Sequence, residues 1–276
     1  MKVRELISWA AGLLERAGIE NPRFEADILL AAGLNLSRAE LYLDFERVLE
    51  GPAIENYQKK IWRRKRREPL QYILQCQEFM GLDFYVDERV LIPRADSEIL
   101  VEKLLAYTRE GNFSPKVLDL GTGSGALAIS AAHYRPQARV VGSDLSAQAL
   151  EVAALNASRL GVRVEWRKGD FLYPAAGESW DWIITNPPYV SSRAYQQCQP
   201  EIYFEPRMAL WGGEDGLDFY RRLAREAPPL LKINGKLLME IGWDQGREVS
   251  GLFEDQGFKT TVFPDLAGRD RVVLVE

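Results

Sequence analysis

Apolar residues recur at three- and four-residue intervals through the first third of the chain. Val3, Leu6, Ile7, Ala10, Leu13, Leu14 and Ala17 form one helical stripe, which Gly18 ends. Asn21-Pro22 predicts an N-cap followed by a proline at the first helical position, and Phe24, Ile28, Leu29 and Ala32 continue as a second stripe closed by Gly33. Ser37 with Glu40 three residues on is a capping box, opening a short helix through Leu41 and Phe45. Pro52 starts a fourth helix running to Arg67, where Glu68-Pro69 stops it. From Gln71 to Pro93 the period changes: Phe79, Leu82, Phe84, Val86 and Val90-Leu91-Ile92, broken by Gly81 and Asp87-Glu88, predict a β-hairpin. After Pro93 short strands alternate with helices, the pattern of a mainly parallel, twisted sheet covered on both faces. The predicted organisation is a small all-α helical bundle over 1–75, a β-hairpin linker over 76–93 and a doubly wound α/β domain over 94–276.

Composition narrows the chemistry. The 276 residues are 46% hydrophobic and 27% charged with a net charge of −5, which argues against broad electrostatic attachment to nucleic acid. No apolar run approaches the roughly 18 residues needed to span a bilayer, and Met1-Lys2-Val3-Arg4-Glu5 does not open a signal peptide, so a cytoplasmic chain is expected. Cys76 and Cys198 lack metal-ligand spacing, and His133 is the one histidine; no metal site and no His-based triad is expected. No long apolar stripe is left once the core is assigned, so a monomer is expected. The one charge cluster is Lys59, Lys60, Arg63, Arg64, Lys65, Arg66 and Arg67. Such a run reads first as a solvated helix face complementing the C-terminal dipole, and second as a landing patch for an RNA-associated or acidic partner. His133, Trp9, Trp62 and Trp166 read as surface, capping or packing residues, Glu205-Pro206 as a loop brace, and Glu240 as a core carboxylate paired with a backbone group.

The best-marked unit runs from a strand, Lys116-Val117-Leu118-Asp119-Leu120, through Gly121-Thr122-Gly123-Ser124-Gly125 into a helix beginning at Ala126. Glycines let the backbone turn sharply and a ligand approach closer than a Cβ would permit. The turn alone fits a tight strand-to-helix connection equally well. The next strand, Ala138 to Ser143, ends in Asp144, where a carboxylate can accept from both hydroxyls of a ribose. The Gly-x-Gly-x-Gly spacing is not that of NAD sites, and the Lys-Ser/Thr pair of a P-loop is absent. A nucleoside without phosphates fits better, and S-adenosylmethionine is such a ligand. Asp170-Phe171, after a third strand over Arg163–Trp166, could meet the adenine, the acid at its amine and the ring against the base; an ordinary cap and a core phenylalanine fit as well.

A fourth strand, Trp182-Ile183-Ile184-Thr185, runs into Asn186-Pro187-Pro188-Tyr189. The prolines have no N–H and fix the backbone, so the turn presents carbonyls, and the Asn186 side-chain oxygen adds another acceptor. A planar –NH₂ group has two hydrogens to place, and two converging acceptors would hold it with its nitrogen aimed at a methyl sulfonium. Tyr189 offers a flat face for the planar group. An amide nitrogen is a poor nucleophile, so acceptors that draw on its protons and a fixed near-attack position supply what the chemistry lacks.

At these residues the chain resembles the class I S-adenosylmethionine-dependent methyltransferases, and more closely the release-factor glutamine methyltransferases (the PrmC/HemK family). Glu68-Pro69-Leu70-Gln71-Tyr72-Ile73 and Glu78-Phe79-Met80-Gly81-Leu82 resemble the family's linker, Leu118 to Gly125 its cofactor loop, and Asn186 to Tyr189 its substrate motif. Glu205-Pro206, Ala209-Leu210 and Gly212 to Leu217 resemble its following loop and helix, and Glu240-Ile241-Gly242 and Asp265 to Arg271 complete the series. The resemblance implies a Rossmann-like methyltransferase domain, and methylation of the glutamine side-chain amide in a release factor's Gly-Gly-Gln motif. It implies that Gly121, Thr122, Gly123, Ser124, Gly125 and Asp144 bind the cofactor, with Asp170 and Phe171 near its adenine. Asn186 would touch both substrates, Pro187, Pro188 and Tyr189 the glutamine, with Asn186, Pro187 and Tyr189 catalytic, and the helical part would help dock the release factor. The family reads Ile-Pro-Arg-Pro-Glu-Thr-Glu where this chain has Ile92-Pro93-Arg94-Ala95-Asp96-Ser97-Glu98.

Two other expectations compete. A DNA or RNA adenine amino-methyltransferase presents the same planar group to the same motif, though a duplex enzyme flips its base and works from a basic cleft, which a net charge of −5 does not suggest. A cofactor-binding scaffold without catalysis would not need Asn186 to Tyr189.

Overall fold

A computed structural model describes residues 1–108 and 114–276. The chain divides into two compact units, one comprising Met1–Cys76 with Gln199–Phe204, the other Gln77–Cys198 with Glu205–Glu276.

The first unit holds five helices: α1 (Val3–Arg16), α2 (Pro22–Leu34), α3 (Arg38–Leu43), α4 (Gly51–Lys65) and α5 (Leu70–Leu74). Along α1 the stripe buries Val3, Leu6, Ile7, Ala10 and Leu14, and the Ser37–Glu40 capping box forms at the start of α3. The second stripe is turned from the predicted one. Ala26, Asp27, Leu29, Leu30 and Ala31 are buried, whereas Phe24 is 45% exposed, with the Arg38 guanidinium 4.6 Å from its ring centroid. Small Ala26 at the helix contact lets the buried Tyr57 hydroxyl of α4 donate to the Ala26 carbonyl at 3.0 Å. Nor does Gly33 end α2: Asn35 does, in the left-handed conformation at φ 54°, its N–H donating to the Ala31 carbonyl.

The basic cluster is only partly solvated. Arg64 is buried and pairs with Glu25 and, at 2.8 Å, with Glu201. Arg67 donates to the Gly18 carbonyl at 2.7 Å and pairs with Glu201 at 2.7 Å. Lys59, Arg63 and Arg66 stay exposed, Arg63 paired with Glu68.

The second unit opens with a hairpin, β1 (Gln77–Phe79) and β2 (Leu82–Phe84), turned at Met80-Gly81 with φ of 53° and 72°. Phe79 and Phe84 bury their rings in this unit's core. Val90–Ile92, expected as part of a strand, is irregular: Asp87 draws the Arg89 N–H and guanidinium into a local turn, and the Ile92 N–H donates to Glu205 instead of to a ladder. There follow α6 (Glu98–Tyr107), β3 (Lys116–Leu120), α7 (Ala126–Tyr134), β4 (Arg139–Asp144), α8 (Ala147–Leu160), β5 (Glu165–Lys168) and β6 (Trp180–Thr185). Then come α9 (Ser192–Tyr195), α10 (Asp218–Glu226), β7 (Leu231–Glu240), α11 (Gly246–Glu254), β8 (Thr260–Pro264) and β9 (Asp270–Val275). The third predicted strand thus lies two residues further on, since ladder pairing with β4 runs from Glu165 to Lys168.

Among the described residues seven strands form one sheet in the order β5-β4-β3-β6-β7-β9-β8; the first five are parallel and β9 runs antiparallel to both neighbours. One face is covered by a cluster from the hairpin, α6 and α7, the other by a cluster including Tyr220, Leu223, Val249 and Phe253 of α10 and α11. Strand order reverses between β3 and β6, where loops at the carboxyl ends of neighbouring strands diverge and open sheets bind ligands. The loops there are 121–125 and 186–189.

Candidate active site

The glycine loop leaves β3 in left-handed backbone, with φ of 72° at Gly121, 54° at Gly123 and 84° at Gly125. The three glycines serve different ends. A Cβ on Gly121 or Gly123 would meet nothing within 4 Å, so those two keep the loop surface open to a ligand. A Cβ on Gly125 would stand 2.8 Å from Ile129 Cδ1 and 3.1 Å from both Ala153 Cβ and Trp166 Cη2, so this glycine lets α7 and α8 close on the sheet.

The side chains between them hold the loop. Thr122 Oγ1 donates to Asp119 Oδ2 at 2.6 Å, and the same oxygen accepts the Ala128 N–H of α7 at 3.1 Å. Buried Ser124 offers its carbonyl to Asn156 Nδ2 at 2.9 Å, and Asn156 also exchanges bonds with the Tyr85 backbone. At the end of β4, Asp144 accepts the Gly123 N–H at 2.9 Å and the Ser146 N–H at 2.8 Å. Burial pushes the Asp144 carboxyl above its ordinary value, against the pull of those amides.

These residues fit a nucleoside such as that of S-adenosylmethionine. With the Leu145 N–H as a third backbone donor, the Asp144 carboxylate still has acceptor capacity left for a hydroxyl. Fully buried Asp119 has its Oδ1 without a hydrogen-bond partner beneath the loop, and burial raises its carboxyl to about 7. The open ground over Gly121 and Gly123 is the space a close-packed ligand needs.

Asp170 and Phe171 are arranged around Arg222. Exposed Asp170 pairs with that guanidinium at 2.8 Å, which lies 4.1 Å from the centroid of Phe171. Phe171 itself is buried, edge-on to Phe219 at 4.8 Å. Backbone links them to Asp144, whose carbonyl accepts the Gly169 N–H.

On the neighbouring strand, Thr185 Oγ1 donates to the Leu120 carbonyl at 2.7 Å, fastening the end of β6 to the end of β3. Asn186, Pro187, Pro188 and Tyr189 follow directly. Asn186 Nδ2 donates to Ser97 Oγ at 2.9 Å, the Ser97 hydroxyl donates to Glu240 Oε2, and the Tyr189 hydroxyl donates to Glu240 Oε1 at 3.1 Å. Gln245 Nε2 donates to the Tyr189 carbonyl at 3.1 Å, and the Val190 N–H to the Leu210 carbonyl at 2.8 Å. Asn186, Pro187 and Tyr189 line a narrow cavity of about 30 Å³ with Leu91, Arg94, Val190, Ala209 and Leu210. Arg94 pairs there with Glu205, which braces the segment as expected by also accepting the Ile92 N–H.

The structure thus joins the two motifs at one switch point and adds residues that sequence reasoning passed over. Glu240 is paired through its carboxylate with two side chains, not with a backbone group; its own carbonyl accepts the Tyr220 hydroxyl at 2.7 Å. Ser97 lies in the stretch that departs from the family pattern, and its neighbours are also engaged: Asp96 with Arg271 at 3.2 Å and Glu98 with the Met80 N–H. Their only signal in sequence was membership of the quoted motifs. His133 is exposed in the last turn of α7, and Trp166 packs against the core.

Comparison with known proteins bears on what the site does. Residues 5–74 match the family model described as PrmC N-terminal domain, and residues 95–204 that of the methyltransferase small domain. The chain is 42% identical over 273 residues to the release factor glutamine methyltransferase of Geobacter sulfurreducens, covering 98% of this chain and 95% of that one. With its counterpart from Moorella thermoacetica it shares 44% identity over 278 residues, covering 99% and 98%. Among solved structures, a T. thermophilus 16S rRNA methyltransferase in complex with AdoMet and guanosine shares the fold, with a TM-score of 0.50, 20% identity and coverage of 73% of this chain and 49% of that one. Shared fold, a site built on two neighbouring loops and identity above 40% over almost the whole length converge: the chain belongs to the release factor glutamine methyltransferases.

Proposed function

We propose that the protein transfers a methyl group from S-adenosylmethionine to the side-chain amide nitrogen (N5) of the glutamine in the Gly-Gly-Gln motif of peptide chain release factors. The observation that carries this is the place of Asn186 to Tyr189, at the end of the strand next to the glycine loop, with Asn186, Pro187 and Tyr189 lining a small cavity there. Gly121 to Gly125 and Asp144 would hold the nucleoside, Asp144 through the ribose hydroxyls, with Asp170 and Phe171 beside the base and Asn186 facing both substrates. S-adenosylmethionine bound there would supply a methyl group already activated by its positive sulfur: the S–CH3 bond breaks as the N–CH3 bond forms, S-adenosylhomocysteine is the leaving group, and one amide hydrogen is lost to solvent as a proton.

The protein's own part is positioning and electrostatics. Asn186 Oδ1 and the Pro187 carbonyl each take one hydrogen of the substrate amide, which fixes the plane of the group. Drawing on those protons returns electron density to the nitrogen and favours the charge that builds on it as the new bond forms. Pro187 and Pro188 keep the acceptors from moving, and the Tyr189 ring limits the amide to one orientation. The helical unit would dock the release factor. We take the protein to act as a cytoplasmic monomer with no stable nucleic-acid partner.

A second reading, methylation of an adenine amino group in DNA or RNA, uses the same acceptors, and the shared fold of an rRNA enzyme keeps it in view. The test is transfer of labelled methyl to purified release factor beside a Gln-to-Ala variant of its Gly-Gly-Gln motif, duplex DNA and total RNA. Label on the wild-type factor and not on the variant is expected; label on nucleic acid with a silent release factor overturns the reading.

A further inference from the structure

An asparagine side chain is nearly symmetric in shape, so turning it over exchanges its oxygen for its NH₂ at little steric cost. The chemistry proposed above tolerates only one of those two states, because an NH₂ aimed at the substrate amide would oppose hydrogen to hydrogen. Something outside the Asn-Pro-Pro-Tyr turn has to choose between them. We propose that Ser97, anchored on Glu240, is the positioning residue that holds the Asn186 amide with its oxygen toward the substrate. This rests on the function proposed above.

The choice follows from counting protons. A serine hydroxyl has one hydrogen to give and two lone pairs to offer. The Ser97 hydrogen goes to Glu240 Oε2, so toward Asn186 its oxygen can only accept. The group that faces Ser97 at 2.9 Å is therefore the NH₂, and Oδ1 is turned away from it. Ser97 is 3% exposed and Glu240 1%, so no bulk water stands ready to replace either partner. Glu240 also accepts from Tyr189 at 3.1 Å, so one buried carboxylate fixes both ends of the motif, Tyr189 directly and Asn186 through Ser97. Ser97 sits in the short turn Ala95–Ser97 ahead of α6 and Glu240 at the end of β7, so the choice is made from outside the loop that carries Asn186.

The experiment compares Ser97→Thr, Ser97→Val and Ser97→Ala in the full chain. Threonine and valine have the same shape and differ in the hydroxyl, so their contrast isolates the hydrogen bond from packing. For methyl transfer to the release factor, kcat is expected to fall about 10- to 100-fold in Ser97→Val and Ser97→Ala, the range of a lost positioned hydrogen bond. Ser97→Thr is expected to restore most of it. KM for the release factor and the affinity for S-adenosylhomocysteine should move less than about threefold, since Asn186 is one contact among several for each ligand while the transfer step depends on its orientation. Valine and threonine variants with equal kcat overturn the inference, as does a loss of cofactor affinity in step with kcat. Wild-type enzyme measured alongside separates the two levels. A silent wild type refutes the function and the inference with it, whereas normal wild-type turnover with an unimpaired Ser97→Val variant refutes the inference alone.

Discussion

Glu240 sets stability and activity against one another as pH changes. Burial raises its carboxyl from an ordinary 4.5 to about 7, outweighing the Ser97 and Tyr189 hydroxyls and the positive charge of Arg271, while Asp96 adds to the rise. The neighbouring Tyr220 hydroxyl donates to the Glu240 carbonyl. Below 4.5 the folded and unfolded chains both carry the proton, and above about 7 neither does. Between the two the folded protein alone holds it, so unfolding releases a proton and stability falls as pH rises. That window from 4.5 to about 7 corresponds to about 3 kcal/mol. Glu240→Gln cannot titrate, and Asp119, raised in the same direction, is common to both proteins and cancels in their difference. Urea unfolding at pH 5, 6, 7 and 8 should therefore show wild type losing most of that ~3 kcal/mol relative to Glu240→Gln. Over the same range the wild-type kcat should rise, because a protonated Glu240 donates where it now accepts and frees the Ser97 hydrogen. A stability difference constant to within about 0.5 kcal/mol from pH 5 to 8 would refute the reasoning, since Glu240 would then titrate alike in both states.

Other perturbations test other parts of the structure. A Cβ at Gly142 would stand 2.3 Å from Trp166 Cζ3 and 3.0 Å from Thr122 Oγ1, so Gly142→Ala should cost about 1–3 kcal/mol in urea unfolding and weaken S-adenosylhomocysteine binding by calorimetry. Combined with Trp166→Leu it should cost less than the sum of the single changes. Arg64→Met leaves Glu25, 13% exposed, without its cation while Glu201 keeps Arg67, and should cost about 3–5 kcal/mol in the same measurement. Adding Glu25→Gln should recover most of that loss. Asn186→Ala removes the acceptor proposed for the substrate amide and should lower the rate of single-turnover methyl transfer about 100- to 1000-fold.

What the sequence disclosed was local. The strand, glycine loop and helix from Lys116 onward are specified by contiguous residues, and so is the Ser37–Glu40 capping box, so both were legible. The second helix of the bundle was read a fraction of a turn out of phase. Phe24 looked like core, but its ring is covered by a cation from a residue 14 positions on, which periodicity does not encode. Strand β5 was misplaced by two residues because ladder pairing with β4, not its own propensity, sets its limits. At the candidate site the Asn186 to Tyr189 turn was visible and its support was not. Ser97 and Glu240 are 143 residues apart; the placement of β7 beside β6 brings Glu240 to this end of the sheet, and Ser97 reaches Asn186 from the turn ahead of α6. The basic cluster misled for the same reason, since Arg64 finds its partners 39 and 137 positions away.

Which atom receives the methyl group decides the function. After transfer of labelled methyl to the release factor, the Gly-Gly-Gln peptide should be isolated and hydrolysed in acid. Labelled methylamine is the expected product, because hydrolysis of an N-methyl amide releases the nitrogen with its methyl still attached. Labelled methanol would mean an ester oxygen was the acceptor, and label confined to a nucleic acid would mean another amine was; either result contradicts the assignment of Asn186 and Pro187 to a glutamine amide.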